Sequence, residues 1–359
     1  NIVYADASGN IGYYANGKFP VRRYLSSDQP PFIAIQGLEG DREWSGYRTD
    51  VPEAYNPKEG FIVTANNDPY GDSVNPKFFQ SKEYFGLFST GNRAAMIQKR
   101  ILAARGNLRA KDIQAIQFDH EDLLASKFVA LLKHPKLPEL SGKAKELAAQ
   151  LAAWDFQTVR TAEQPVIFYE WLGVLLREYF KFKEDENFQK LPEEVKNSVR
   201  ENWAGLINQF YASSSSVKTA YHKLIAKLEG GRNDDLQAVK GLFQHTLEVA
   251  EKNLSEVGNL GARWGEVNRV SFSNALEGLI PNILSFPVER DGSWETIDVA
   301  GGGFGPNFRL VLTLKEGEPI RGQVVLPGGN WNPLGQQDKV IEELLMWRDG
   351  KLRDLVPFL

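Results

Sequence analysis

The hydrophobic periodicity changes twice along the chain, and this restricts the fold more than any other feature. Residues 1 to about 70 read as short, turn-broken β segments, followed by a long polar loop over 68–80. From about Gly91 the apolar residues fall at helical spacing, and they keep it to about residue 260. From about Trp264 β character returns. This order predicts an α+β fold in which a helical insertion of roughly 170 residues separates two parts of one sheet. Three portions follow: 1–90 and 261–359 as the β portions, the second closed by a helix, and 91–260 as a helical subdomain.

Within the first portion, Asn1-Ile2-Val3-Tyr4-Ala5-Asp6 and Ile11-Gly12-Tyr13-Tyr14 flank the turn residues Ala7-Ser8-Gly9-Asn10, a hairpin pattern. A natural terminus rarely starts inside a hairpin, so the chain is expected to be the later part of a longer protein. Asn56-Pro57-Lys58-Glu59-Gly60 is turn chemistry, and Phe61–Ala65 has strand propensity. Asn66 and Asn67 follow at once. Asn is depleted inside strands, so this pair is placed where the strand leaves its sheet, capping backbone groups or facing a ligand.

In the middle portion one helix is expected from Gly91 on, with Arg93, Met96, Ile97, Arg100 and Ile101, and another over Leu108–Leu124. Further helices are predicted over Ala144–Trp154, Val166–Phe182, Pro192–Ala212, Val217–Leu228 and Asp235–Val257. Strands are predicted over 267–272, 307–314 and 322–326, and a helix over Asp338–Trp347.

Composition excludes several functions. A net charge of −4 carries no basic footprint for nucleic acid. With no cysteine, disulfides and thiolate metal sites are ruled out. No apolar run approaches the roughly 20 residues of a membrane span. The four His (His120, His134, His222, His245) all lie in the helical middle, and His222 and His245, among Lys and Glu, are expected to face solvent. Asp119-His120-Glu121-Asp122 has no second His at i+4, and consecutive side chains diverge on a helix, so no metal site is expected there. Gly301–Gly305 lacks the lysine of a phosphate loop. Spacing alone assigns no mechanism.

Taken in series, several stretches resemble the penicillin acylases (penicillin amidases), a family of N-terminal nucleophile hydrolases. They are Tyr4–Tyr13, Asn56–Ile62 with Asn66-Asn67, Gly91-Asn92-Arg93 with Ile97, the Leu108–Leu124 segment, Leu151–Asp155, Gly305–Arg309, and Val325–Gly329 with Asn332-Pro333. The resemblance implies part of an αββα sandwich, and a periplasmic or extracellular amidase made as a self-cleaving precursor. It implies a nucleophilic Ser whose own α-amino group is the base. That Ser is absent here, so the partners implied are an α subunit and the N-terminal part of the β subunit, with a small amide as substrate. Asn66 matches the carboxamide that donates to the tetrahedral oxyanion. Arg93 matches the arginine that orients the nucleophile's amine and substrate groups. Calcium occurs in the family, but Asp72 lies in a loop of different length, and no cofactor is expected. The alternative is a non-catalytic binding protein on the same scaffold, presenting Trp44, Tyr47 and Trp331 to a ligand.

Overall fold

The structure, a computed structural model, describes residues 1–22, 44–67, 89–104, 106, 108–180, 214–271, 287–301, 304–331 and 335–355. Its helices and small antiparallel sheets make it an α+β protein. The chain divides into two compact units. Asn1–Ala110, Leu310–Val324 and Arg353–Leu359 form the first, and Lys111–Arg309 with Val325–Leu352 form the second.

In the first unit the opening hairpin forms as its sequence predicts. Ile2–Ala5 and Ile11–Tyr14 pair antiparallel, with Ile2 opposite Tyr14 and Ala5 opposite Ile11. Asp6 closes the turn: its carboxylate accepts from the Asn10 backbone N–H and from Asn10 Nδ2, both at 2.9 Å. Gly9 supplies the left-handed residue at φ 87° that a side chain would resist. Glu53–Tyr55 adds a third strand beside Ile11–Tyr14.

Asn56 ends that ladder. Its N–H donates to Ile11 O and its Oδ1 accepts from Ile11 N, each at 2.9 Å, while its own φ of 45° turns the chain away. The strand therefore precedes the turn, and Phe61–Ala65 join no ladder among the described residues. Strand propensity reports a side chain's fit to a pleated surface, but a strand also needs a backbone partner.

One face of this three-stranded sheet carries Ile2, Tyr4, Tyr14 and Tyr55, exposed by 50, 49, 43 and 68%. With Gly12 and Glu53 they line a groove of about 470 Å³. Four large side chains thus stand uncovered side by side on one face of this small sheet. A second sheet of this unit joins Arg309–Thr313, Arg321–Val325 and Arg353–Asp354 edge to edge.

The second unit is built on a helical core. Gln164–Phe180 is apolar nearly all round, so it must be surrounded. It packs against Asn233–Glu256, Gly142–Ala152 and Ser214–Gly230. Val239, Phe243, Leu247, Ala250 and Leu254 give Asn233–Glu256 one apolar stripe at helical spacing. Phe128, Trp171, Phe243, Leu175, Leu224 and Leu228 are fully buried, each worth about 1.5–3 kcal/mol of transfer free energy. The indole N–H of Trp171 is satisfied by Thr246 Oγ1 at 3.0 Å. His222 and His245 face solvent, as expected. The segment predicted as the helix Pro192–Ala212 lies outside the described residues.

The segment predicted as one helix over Leu108–Leu124 is two, Ala110–Gln117 and Leu123–Leu132. Asp122 starts the second by accepting from Ala125 N at 2.8 Å, and Asp119 Oδ1 takes Glu121 N at 2.8 Å. Short acidic side chains that bond the nearby backbone compete with helix continuation, and here two of them open the break.

The break meets the 290–300 segment, and together they bury an ionic cluster. Asp298, wholly buried, accepts from Arg290 Nη2 at 2.8 Å and from Arg309 Nη2, and lies 3.0 Å from His120 Nε2. Each guanidinium also lies 4.0 Å from the centre of an aromatic ring, Arg290 on Trp347 and Arg309 on Phe118. A second buried carboxyl, Asp122, receives the Tyr169 hydroxyl and lies 3.2 Å from Ser293 Oγ.

Gly292 lets this segment close. Its N–H donates to Thr158 O at 2.7 Å, its φ is 82°, and an added Cβ would stand 1.9 Å from Asp298 O. Both the left-handed backbone and the close backbone oxygen oppose a side chain. Gly292→Ala is expected to cost roughly 2–4 kcal/mol of stability, read as a lower denaturation midpoint.

Candidate active site

The two residues singled out in the sequence meet. Asn66 and Arg93 are 27 positions apart, and Arg93 Nη2 donates to Asn66 Oδ1 at 2.8 Å. A guanidinium has donors and no acceptor, so the carboxamide atom facing it must be the oxygen. That removes the usual ambiguity between the O and N of an Asn side chain. Nδ2, the donor end, is directed away from Arg93 and has no hydrogen-bond partner among the described residues. The Asn66 side chain is exposed, so this donor faces outward.

The backbone supports this presentation. Asn66 stands at φ 59°, in the left-handed region that Asn tolerates better than most residues. Its neighbour Asn67 is buried and turns inward, where its Oδ1 accepts from Ala65 N at 3.0 Å. The adjacent carboxamides thus divide two tasks: Asn67 caps the loop and Asn66 presents a donor. Ser89 completes the loop, its N–H donating to Asn66 O at 2.8 Å and its hydroxyl to Ala65 O at 2.9 Å. Nothing in the sequence marked Ser89, because a single Ser between loop residues has no pattern.

Arg93 is the second residue of the helix Asn92–Ala103. Thr90 Oγ1 accepts from Asn92 Nδ2 at 3.0 Å and from Asn92 N at 3.3 Å, satisfying a donor at the helix start. A cation at a helix N-terminus faces the positive end of the dipole, and the first turn holds no acidic residue to offset it. Local helix energetics therefore do not account for an arginine here. Among its contacts is the 2.8 Å bond to Asn66 Oδ1.

Other candidates lie apart from this pair. Trp44 and Tyr47 form an exposed edge-to-face pair with ring centres 6.2 Å apart, and Lys18 Nζ lies 5.5 Å from the Tyr47 ring centre. Trp331, 38% exposed, sits under Lys339 at 5.9 Å. Asp72 lies outside the described residues, and among those residues no three His, Asp or Glu side chains gather as metal ligands.

The family model described as Penicillin amidase matches residues 1–356, nearly the whole chain. The Penicillin G acylase of Escherichia coli is 27% identical over 189 residues, covering 49% of this chain. That match spans 21% of the length of the Escherichia coli protein. Since the family match runs through Asn66, Arg93, the small sheets and the helical core alike, this chain belongs to the penicillin amidase family.

Proposed function

We propose that the complete protein hydrolyses an acyl amide through an acyl-enzyme, with this chain supplying the oxyanion donor. The observation that carries the reading is the 2.8 Å bond from Arg93 to Asn66 Oδ1, which fixes the carboxamide and leaves Nδ2 to donate. A neutral amide suits the task, since it donates at any physiological pH and needs no protonation state.

In this reading an N-terminal Ser, carried by another part of the protein, attacks the amide carbonyl. The Ser hydroxyl proton passes to its own α-amino group and then to the leaving amine. The carbonyl oxygen becomes negative in the tetrahedral intermediate, where Asn66 Nδ2 meets it. Water then hydrolyses the acyl ester and regenerates the Ser. Arg93 orients the Asn66 carboxamide, and its positive charge lowers the pKa of a nearby amine by like-charge repulsion, keeping that amine free to act as base. The partners are an α subunit and the N-terminal part of the β subunit, which complete an αββα sandwich. The uncovered Ile2, Tyr4, Tyr14 and Tyr55 face gives them a surface to bury. The compartment is the periplasm or the cell exterior, where the self-cleaved precursor matures.

The test is a burst experiment on a panel of chromogenic acyl anilides. The complete protein is expected to release one amine per active centre rapidly and then turn over more slowly, whereas residues 1–359 alone release none. Hydrolysis by the isolated chain, or silence from the complete protein across the panel, overturns the reading. The exposed Trp44–Tyr47 pair supports a second reading, a binding protein on this scaffold. Saturable binding of the same amides without any burst would favour it.

A further inference from the structure

We infer that Ser89 is a positioning residue for the oxyanion donor, an inference that rests on the reading of Asn66 given above. The direction in which Asn66 projects Nδ2 depends on the φ and ψ of its own backbone, and these are set by the two peptide planes on either side of its Cα. Ser89 holds both. Its hydroxyl donates to Ala65 O, on the plane before Asn66, at 2.9 Å. Its N–H donates to Asn66 O, on the plane after, at 2.8 Å.

The plane one residue earlier, between Thr64 and Ala65, is held by Asn67 Oδ1, which accepts from Ala65 N at 3.0 Å. The backbone so held is left-handed, at φ 59°. A strained conformation of this kind persists only when its surroundings over-determine it. Ser89 also lies four residues before Arg93, whose guanidinium holds the far end of the same carboxamide. One short run of chain therefore fixes both the backbone and the side chain of Asn66.

A hydroxyl in this place needs no contact with substrate to matter. Losing it frees the plane before Asn66, and the donor shifts relative to the developing oxyanion. Because the oxyanion appears only in the transition state, the loss falls on kcat and not on KM.

The experiment uses the complete enzyme with Ser89→Ala, Ser89→Thr, Asn66→Ala and the double variant Ser89→Ala/Asn66→Ala, with denaturation midpoints measured alongside. Displacements of an ångström or less at a reacting centre cost about ten- to a hundredfold, so Ser89→Ala is expected to lower kcat by that factor with KM unchanged. Ser89→Thr, which keeps the hydroxyl, restores most of the rate. In the Asn66→Ala background the Ser89 change adds nothing, because the group it positions is gone. If Ser89→Ala leaves kcat alone, or its effect persists undiminished in that background, Ser89 does not position Asn66, and the oxyanion reading stands. If Asn66→Ala itself leaves kcat unchanged, the oxyanion reading fails and this inference fails with it.

Discussion

Asn66→Asp is expected to lower kcat of the complete enzyme by about 10²–10³-fold, the usual cost of losing one oxyanion donor. The substitution is chosen for what it leaves alone. Asp has nearly the shape of Asn and shares its tolerance of the left-handed backbone, which Asn66 adopts at φ 59°. Its carboxylate can still accept from Arg93, so the 2.8 Å contact survives with added charge. What changes is the outward atom. An NH₂ that donates becomes an oxygen that only accepts, and it carries negative charge toward an oxyanion. A loss in kcat with an unchanged denaturation midpoint and a slower acylation burst is the expected pattern. Equal loss of fold and activity, or full activity, would show that Nδ2 is not a donor in catalysis.

Asp298→Asn is expected to destabilise the chain by about 3–5 kcal/mol, the cost of removing one partner from a buried ion pair. Asp298 is wholly buried between Arg290 and Arg309, themselves 0 and 5% exposed. Without its charge, two guanidiniums stay out of water with no carboxylate between them, each left with an aromatic ring and one backbone carbonyl, Arg348 O for Arg290 and Gln117 O for Arg309. Asp122→Asn provides the contrast, with an expected change within about 1 kcal/mol, because Asn caps a helix as well as Asp does. The amide oxygen can still accept from Ala125 N, and the NH₂ that replaces Oδ2 donates to the reoriented hydroxyl oxygens of Tyr169 and Ser293.

The two carboxyls differ because their surroundings shift them in opposite directions. Burial pushes both up. For Asp298 the His120 contact and the two guanidinium charges outweigh burial and hold the carboxyl below its ordinary value. Its contribution is therefore present above the unfolded-state pKa and is lost as pH falls through the lower, folded value. For Asp122 burial outweighs the hydroxyl and backbone donors, and the carboxyl is raised. Its contribution is complete below the unfolded-state pKa and fades as pH rises through the raised one. Acid denaturation below about pH 4 should thus be blunted in Asp298→Asn, which has already lost that term. Acid midpoints of the two variants and the parent, measured side by side, check the sign.

Local pattern carried the helical core and the opening hairpin. The stripe Val239, Phe243, Leu247, Ala250 and Leu254 and the turn at Asp6–Asn10 are short-range encodings, legible because each element's period and turn chemistry lie within a few residues. The misplaced strand at Phe61–Ala65 failed where a distant partner decided the outcome, and the undivided helix at Leu108–Leu124 failed where Asp119 and Asp122 bond the nearby backbone. Asn56 closes its ladder onto Ile11, 45 positions away, and the broken helix exposes His120 to Asp298 across 178.

The sequence by itself determined the residue types at the site: a carboxamide at 66, an arginine at 93, and a family resemblance to connect them. Only the tertiary structure decided that they touch, that the amide oxygen is the end held by Arg93, and that Ser89 braces the backbone between. It alone also placed Arg290 and Arg309 around one buried carboxylate. Side-chain period is a property of neighbours along the chain. Hydrogen bonds and ion pairs between remote segments arise only when the fold brings those segments together, and they leave no periodic trace in the order of residues.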